Sequence, residues 1–191
     1  MRCLTCQKLS FSPICVTCQT TFFTPQIFQQ TLACGLKVIS FYPYEEIELL
    51  LKSKYSAIGS RIYPLLARHA MRTFLENFDT GIPSLLVPVD DHTRHGYSHT
   101  ALLAKHAGTA NIKATYHQLH AKNVISYAGK NLQYRLLNSK NFTFTPNAIT
   151  ETILIDDLIT SGSTLTQAYH AICKASEPPL FALTLASAKP L

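Results

Sequence analysis

The sequence predicts an α/β fold in which a parallel β-sheet is flanked by helices and preceded by a small four-cysteine module. Three observations carry that reading. Apolar runs alternate with helical patterns along most of the chain, as in parallel sheets built from strand–helix–strand units. Two of the runs, residues 85–89 and 152–156, end in adjacent carboxylates, Asp90-Asp91 and Asp156-Asp157. The first 18 residues hold Cys3-x-x-Cys6 and Cys15-x-x-Cys18, a spacing suited to one shared metal ion. The chain has 191 residues and an apolar fraction of 47%, enough to fill a core, so global disorder is excluded. No apolar run approaches the ~20 residues of a membrane-spanning helix. The opening Met-Arg-Cys-Leu-Thr-Cys lacks the apolar segment of a secretory leader, so a cytoplasmic location is expected.

Taken in order, residues 1–25 read as the cysteine module and residues 26–191 as the main domain. In a reducing compartment, paired cysteines read as metal ligands rather than disulfides. Four thiolates from Cys3, Cys6, Cys15 and Cys18 predict a closed, structural Zn²⁺ site, and metal binding supplies most of the folding free energy of so short a segment. Two matched pairs favour a shared metal over a redox pair. Cys34 and Cys173 stand alone and read as buried small apolar residues.

Residues 31–41 read as one or two strands. Residues 45–55 read as a helix, with acids in the first turn and Ile47, Leu50 and Leu51 on one face. Residues 58–78 predict a second helix, in which Pro64 implies a start or a kink. A buried strand at 85–89 is followed by a helix at 99–106 and a weaker strand at 111–116. Residues 117–150 lack periodicity and read as a long loop or hood. The last unit is a strand at 152–156, a Thr/Ser/Gly loop, a helix at 164–175 and a strand at 180–186, with Pro178 and Pro179 breaking the chain before that strand.

Charge is unevenly distributed. No Asp or Glu lies between Asp91 and Glu151, an interval that holds Arg94, Lys105, Lys113, Lys122, Lys130, Arg135 and Lys140. It therefore carries a formal +7 of the net +6, the remainder of the chain carrying −1. Six of the eight histidines lie there as well. Such a field suits phosphates, whether of a small ligand or of a nucleic-acid backbone. Tyr97, Tyr116, Tyr127, Tyr134 and Phe142 interleave with these cations, a mixture that can stack unpaired bases along a single strand. Lys122, Lys130, Arg135 and Lys140 are the candidate nucleic-acid contacts.

The unit at 153–164 is the most informative. An apolar strand reaches Asp156-Asp157, then Leu158-Ile159, then Thr160-Ser161-Gly162-Ser163-Thr164, where a helical pattern begins. Loop amides and hydroxyls at a helix amino terminus can cradle a phosphate, and the carboxylates can accept hydrogen bonds from ribose hydroxyls or bind Mg²⁺. This stretch resembles the phosphoribosyl pyrophosphate (PRPP) signature of type I phosphoribosyltransferases, with Ser161 in place of the commoner second Thr. The resemblance implies ribose contact by Asp156 and Asp157, phosphate contact by Thr160, Ser161, Gly162, Ser163 and Thr164, and Mg²⁺ accompanying PRPP. For a general base it leaves two candidates, Asp157, which follows the strand directly, and Asp156.

The order of parts also resembles the ComF/ComFC family of bacterial proteins associated with natural competence. Beside the four cysteines and the PRPP loop, the matching elements are Lys54-Tyr55, Val87-Pro88-Val89, Arg94-His95-Gly96-Tyr97-Ser98, and Arg135 to Asn138 with Phe142. His95 stands where the family carries Arg, and Ser98 where it carries Asn. The resemblance implies a type I phosphoribosyltransferase-like domain and a pyrophosphate loop near Arg94. It also implies a cytoplasmic role in DNA uptake, with single-stranded DNA and a protein of the competence machinery as partners. An active phosphoribosyltransferase with an unidentified acceptor, or a non-catalytic PRPP sensor, are the alternatives.

Overall fold

The computed structural model describes residues 1–78, 81–89, 93, 96–122, 141–146 and 150–189. The expected fold class is observed: an α/β architecture built on a mostly parallel sheet. Six strands lie in the order β1-β2-β8-β7-β3-β4. They are β1 (Phe28–Thr31), β2 (Lys37–Pro43), β3 (Ser84–Pro88), β4 (Ile112–Ala114), β7 (Glu151–Ile159) and β8 (Phe181–Ser187). Only β1 runs antiparallel to its neighbour. A second pair, β5 (Leu119–Ala121) with β6 (Phe142–Phe144), forms a separate antiparallel ribbon.

Alternation along the strands sends side chains into two helical layers. Phe41, Leu86, Ile153, Ile155 and Leu183 face one core. It is covered by α2 (Tyr44–Lys52), α3 (Gly59–Leu66), α4 (Thr73–Glu76) and α5 (His99–Ala107). Val38, Val87, Leu154 and Ala182 face the other, together with Leu165, Ala168 and Ile172 of α6 (Ser163–Cys173) and Phe142 and Phe144 of the ribbon.

Cys34 is half-buried and Cys173 is exposed on the last turn of its helix, against the burial expected of both. The structure refines the sequence reading at four further places. The helical segment expected at 58–78 runs unbroken through Pro64; the irregularity comes just after it, as a π-helical stretch at Ala67–Arg72. Strand β7 extends to Ile159, so Asp156 and Asp157 lie inside the strand, not at its end, held by continued pairing with β8. The ribbon β5–β6 gives order to the edges of the segment read as a hood, and residues 123–140 of that segment lie outside the described residues. Phe142 is 9% exposed and packs in the core, so it cannot serve as the base-stacking surface expected of it.

The cysteine segment forms a turn closed by the Arg2–Leu9 bridge, followed by α1 (Val16–Phe22). It does not stand apart. Cys3, Ile14, Cys18 and Phe23 are buried in the same core cluster as Phe41, Tyr63 and Leu183. Gln19 Oε1 accepts a hydrogen bond from His69 Nε2 at 2.9 Å, and Phe23 meets that ring edge-on.

Candidate functional site

Chain direction opens a crevice at one place on the sheet. From β3 the chain passes through α5 outward to β4, whereas from β7 it passes through α6 the other way to β8. The carboxyl ends of the adjacent strands β3 and β7 therefore face a gap between diverging connections, the place where open α/β sheets take ligands. The 153–164 unit lies there.

Its loop is shaped for an anion. Gly162 holds φ at 74°, in the left-handed region, and opens α6, with Thr166 N–H donating to its carbonyl at 2.9 Å. A Cβ on Gly162 would sit 2.6 Å from Leu32 Cδ2, so the β1–β2 turn closes one side of the loop. Ser161 is exposed, and its hydroxyl bonds that of Ser163 at 3.2 Å. Thr160, Ser163 and Thr164 are half-buried. The first turn of α6 gives the loop a positive end; of its amides, Ser163 N–H makes a long 3.5 Å contact to Ser161 Oγ.

The acid pair is asymmetric. Asp157 is 5% exposed, and its Oδ2 accepts hydrogen bonds from Lys54 Nζ at 2.7 Å and the Tyr63 hydroxyl at 3.2 Å. His99 Nε2 lies 3.8 Å from the same oxygen. Asp156 is half-buried, and its Oδ1 accepts the Asp157 N–H at 2.8 Å. Burial alone would raise the Asp157 carboxyl, but the Lys54 ammonium, His99 and the two donors outweigh it and hold it well below the usual carboxylate range. Burial likewise works against the Lys54 charge, and the Asp157 carboxylate reverses that, raising Lys54 above its ordinary value. Burial and the Asp157 charge push the Tyr63 phenol far up, so it stays a donor. A carboxylate ionised this firmly is a fixed acceptor, and it accepts protons poorly near neutral pH. That environment weighs against Asp157 as a general base.

Two further sequence elements matched in the family resemblance meet here. Lys54 is the middle residue of the 3₁₀ turn Ser53–Tyr55 after α2. The Tyr97 hydroxyl donates to the Ser53 and Ser56 carbonyls at 3.2 and 3.1 Å, crossing over Gly59, where a Cβ would collide with it. Ser98 caps α5 through the Ala101 N–H at 3.2 Å, which sets His99, the first residue of that helix, toward Asp157. Tyr63 and His99 carried no site role in the sequence reading. Arg94, Lys130, Arg135 and Lys140 lie outside the described residues, as do Asp90 and Asp91. Lys122 is exposed just after β5, and Lys105 and Lys113 are exposed as well.

At the amino terminus the four sulfurs of Cys3, Cys6, Cys15 and Cys18 all lie within 4.8 Å of one another. Cys6 and Cys15 are 3.6 Å apart, close to the roughly 3.8 Å edge of a tetrahedron with Zn–S bonds of about 2.3 Å. Backbone N–H groups of Cys6 and Cys15 draw the Cys3 thiol down to about 6, while burial and the neighbouring thiols push Cys18 up to about 12. The cluster can hold a metal such as zinc, whose charge would offset the assembled thiolates.

No family model matches the chain, and no curated protein matches it. Among solved structures it is similar to the Mycobacterium tuberculosis H37Rv orotate phosphoribosyltransferase in complex with Fe(III) dicitrate. That likeness covers 88% of this chain and 81% of the other, at 14% identity and a TM-score of 0.41. It is also similar to Leishmania donovani UMP synthase, over 87% of this chain and 29% of that one, at 13% identity and a TM-score of 0.40. Among the described residues, no helix is long and apolar enough to cross a membrane.

Proposed function

We propose that the chain binds PRPP in the crevice between β3 and β7. The observation that carries this reading is the β7–loop–α6 unit. A left-handed Gly162 opens an 11-residue helix only a few residues after the Asp156–Asp157 pair on the same strand–loop–helix unit. In this reading the 160–164 loop takes the 5′-phosphate, and Asp156 accepts from the ribose hydroxyls. Asp157 fixes the backbone and charge of the pair from beneath. The Mg²⁺ implied with PRPP does not fit on Asp157 Oδ2, which already accepts from Lys54 and Tyr63; no step is assigned to it there.

Calorimetric titration with PRPP tests the reading. Asp156→Asn and Thr164→Val should each weaken binding at least ~10-fold, the loss of about 1.4 kcal/mol expected for a charge-assisted hydrogen bond. Absence of binding to the native chain, or affinity unchanged in both variants, would sink it. Pyrophosphate release with candidate acceptors separates a transferase from a sensor.

The resemblance to the competence family, together with the exposed Lys105, Lys113 and Lys122 of the acid-free interval, supports a second, finer reading. PRPP binding then serves the handling of incoming single-stranded DNA in natural transformation. Neutralising Lys122, Lys130, Arg135 and Lys140 together should reduce DNA affinity and flatten its salt dependence. Unchanged DNA binding would remove the interval from that role.

A further inference from the structure

The site holds a set of metal-ligand side chains with a cation already among them. His99, Asp156 and Asp157 each bring one ligand atom, and these atoms lie within 4.8 Å of one another. An imidazole with two carboxylates is a common donor set for divalent cations. The Lys54 ammonium sits 2.7 Å from Asp157 Oδ2, and the Tyr63 hydroxyl takes a second position on that oxygen at 3.2 Å. The single Tyr63 proton is shared with the Leu51 carbonyl at 3.0 Å, so the lysine is the main occupant of Oδ2. A metal bonded to Oδ2 would have to displace the lysine or share the oxygen with it.

The geometry points to Lys54 as a resident cation that occupies the cation position of the His99–Asp156–Asp157 set and keeps divalent metals out of it. Several features favour this over an incidental surface pair. Lys54 is the middle residue of a 3₁₀ turn, and its side chain is only 23% exposed. The turn is tied down by the Tyr97 hydroxyl on the Ser53 and Ser56 carbonyls. The Tyr63 hydroxyl also lies 3.0 Å from the Leu51 carbonyl, bracing the end of α2 just before that turn. The ammonium is thus delivered from a braced backbone to a buried carboxylate. The charge consequence is direct: one of the two acid charges is cancelled within the protein, which lessens repulsion toward a polyphosphate anion. Only that last consequence rests on the PRPP reading. A Mg²⁺ arriving with PRPP is then held by the ligand's own oxygens.

The test uses the zinc-loaded full chain without PRPP, titrated with Mn²⁺ and followed by electron paramagnetic resonance. The native chain should show no saturable Mn²⁺ site at the acid pair, and Lys54→Met should gain one site that a further Asp157→Asn removes. Because Lys54→Met strands a buried carboxylate and can impair folding, Lys54→Gln is examined in parallel. In both variants Mn²⁺ should raise the melting temperature by several degrees, with no rise in the native chain. A saturable site in the native chain that Asp157→Asn abolishes would overturn the assignment. So would variants that neither bind Mn²⁺ nor gain thermal stability from it. Failure of PRPP to bind would sink the functional proposal and leave these outcomes unchanged.

Discussion

Removing the Lys54 ammonium would leave the Asp157 carboxylate buried with Tyr63 as a neutral donor. Breaking one partner of a buried pair typically costs about 3–5 kcal/mol. Lys54→Met should sit near 3 kcal/mol, because a fifth to a quarter of the lysine side chain reaches solvent. Lys54→Met with Asp157→Asn should recover part of that loss in urea denaturation. The pH dependence has a definite sign. The folded Asp157 lies below its unfolded value of about 3.9. Its contribution is therefore complete above about pH 4 and disappears as pH falls through the folded value. Lys54 is raised above its unfolded value of about 10.4, so its share is complete below that and is lost at higher pH. The native-minus-variant gap should narrow below about pH 4; a gap that persists undiminished as the carboxylate is protonated would contradict the pairing. Sequence reading reached Asp156 and Asp157 because their strand, loop and helix are contiguous. It could not assign Tyr63 and His99, whose meeting with Asp157 depends on the packing of α3 and α5 against β7. Lys54 was visible as half of a motif, but its partner lies 103 residues away.

The β7–loop–α6 element depends on Gly162 for its own geometry before any ligand arrives. At φ 74° an alanine costs about 1–2 kcal/mol, and its Cβ also meets Leu32. Gly162→Ala should destabilise the chain by more than that amount in urea denaturation, the excess being the Leu32 contact. Adding Leu32→Ala should relieve the contact and leave the backbone cost in place. Full recovery in the double variant would show that Leu32, not the φ angle, fixes the residue choice. The steric effect of a larger residue at 162 therefore falls on the β1–β2 turn as well as on any phosphate, and Gly162→Val is a poor probe of binding alone. At this scale the sequence located most elements because apolar periodicity is a local property. It ended β7 too early, since two acids look like a strand terminus. There, pairing with β8 through Ile159–Ser187 overrides local preference. The π-helical stretch at Ala67–Arg72 was invisible for a related reason, because an added residue per turn leaves the 3.6-residue pattern on either side intact.

Across the whole molecule, the cysteine segment and the α/β domain share apolar contacts. A segment of this length was expected to take most of its folding free energy from its metal, and its composition gave no sign of the surface it packs against. Ile14 is 1% exposed and Phe23 is 5% exposed, and both lie in the core cluster that also contains Phe41, Tyr63 and Leu183. The His69 ring links the two sides through Gln19 and Phe23. The Tyr63 side chain at the edge of this core donates to Asp157, so the same packing supports the acid pair. Stripping metal from the four thiols should therefore be felt beyond the first 25 residues. If the segment opens, Ile14 and Phe23 lose burial worth about 1.5–3 kcal/mol each. For a chain of this size about 2–4 °C of melting temperature corresponds to each kcal/mol, so chelation should lower it by on the order of 10 °C. The transition should remain single when followed by far-ultraviolet circular dichroism and by tyrosine fluorescence, because one core melts. Two separated transitions, or a main transition that chelator leaves in place, would mean that the segment is an independent appendage. Cys6→Ser should behave like partial chelation, since Cys6 is exposed and its loss removes a ligand without disturbing the apolar contacts. Leu9→Ala is the control: Leu9 lies in the same segment but is 83% exposed, and its replacement should leave the transition within about 1 °C of the native value.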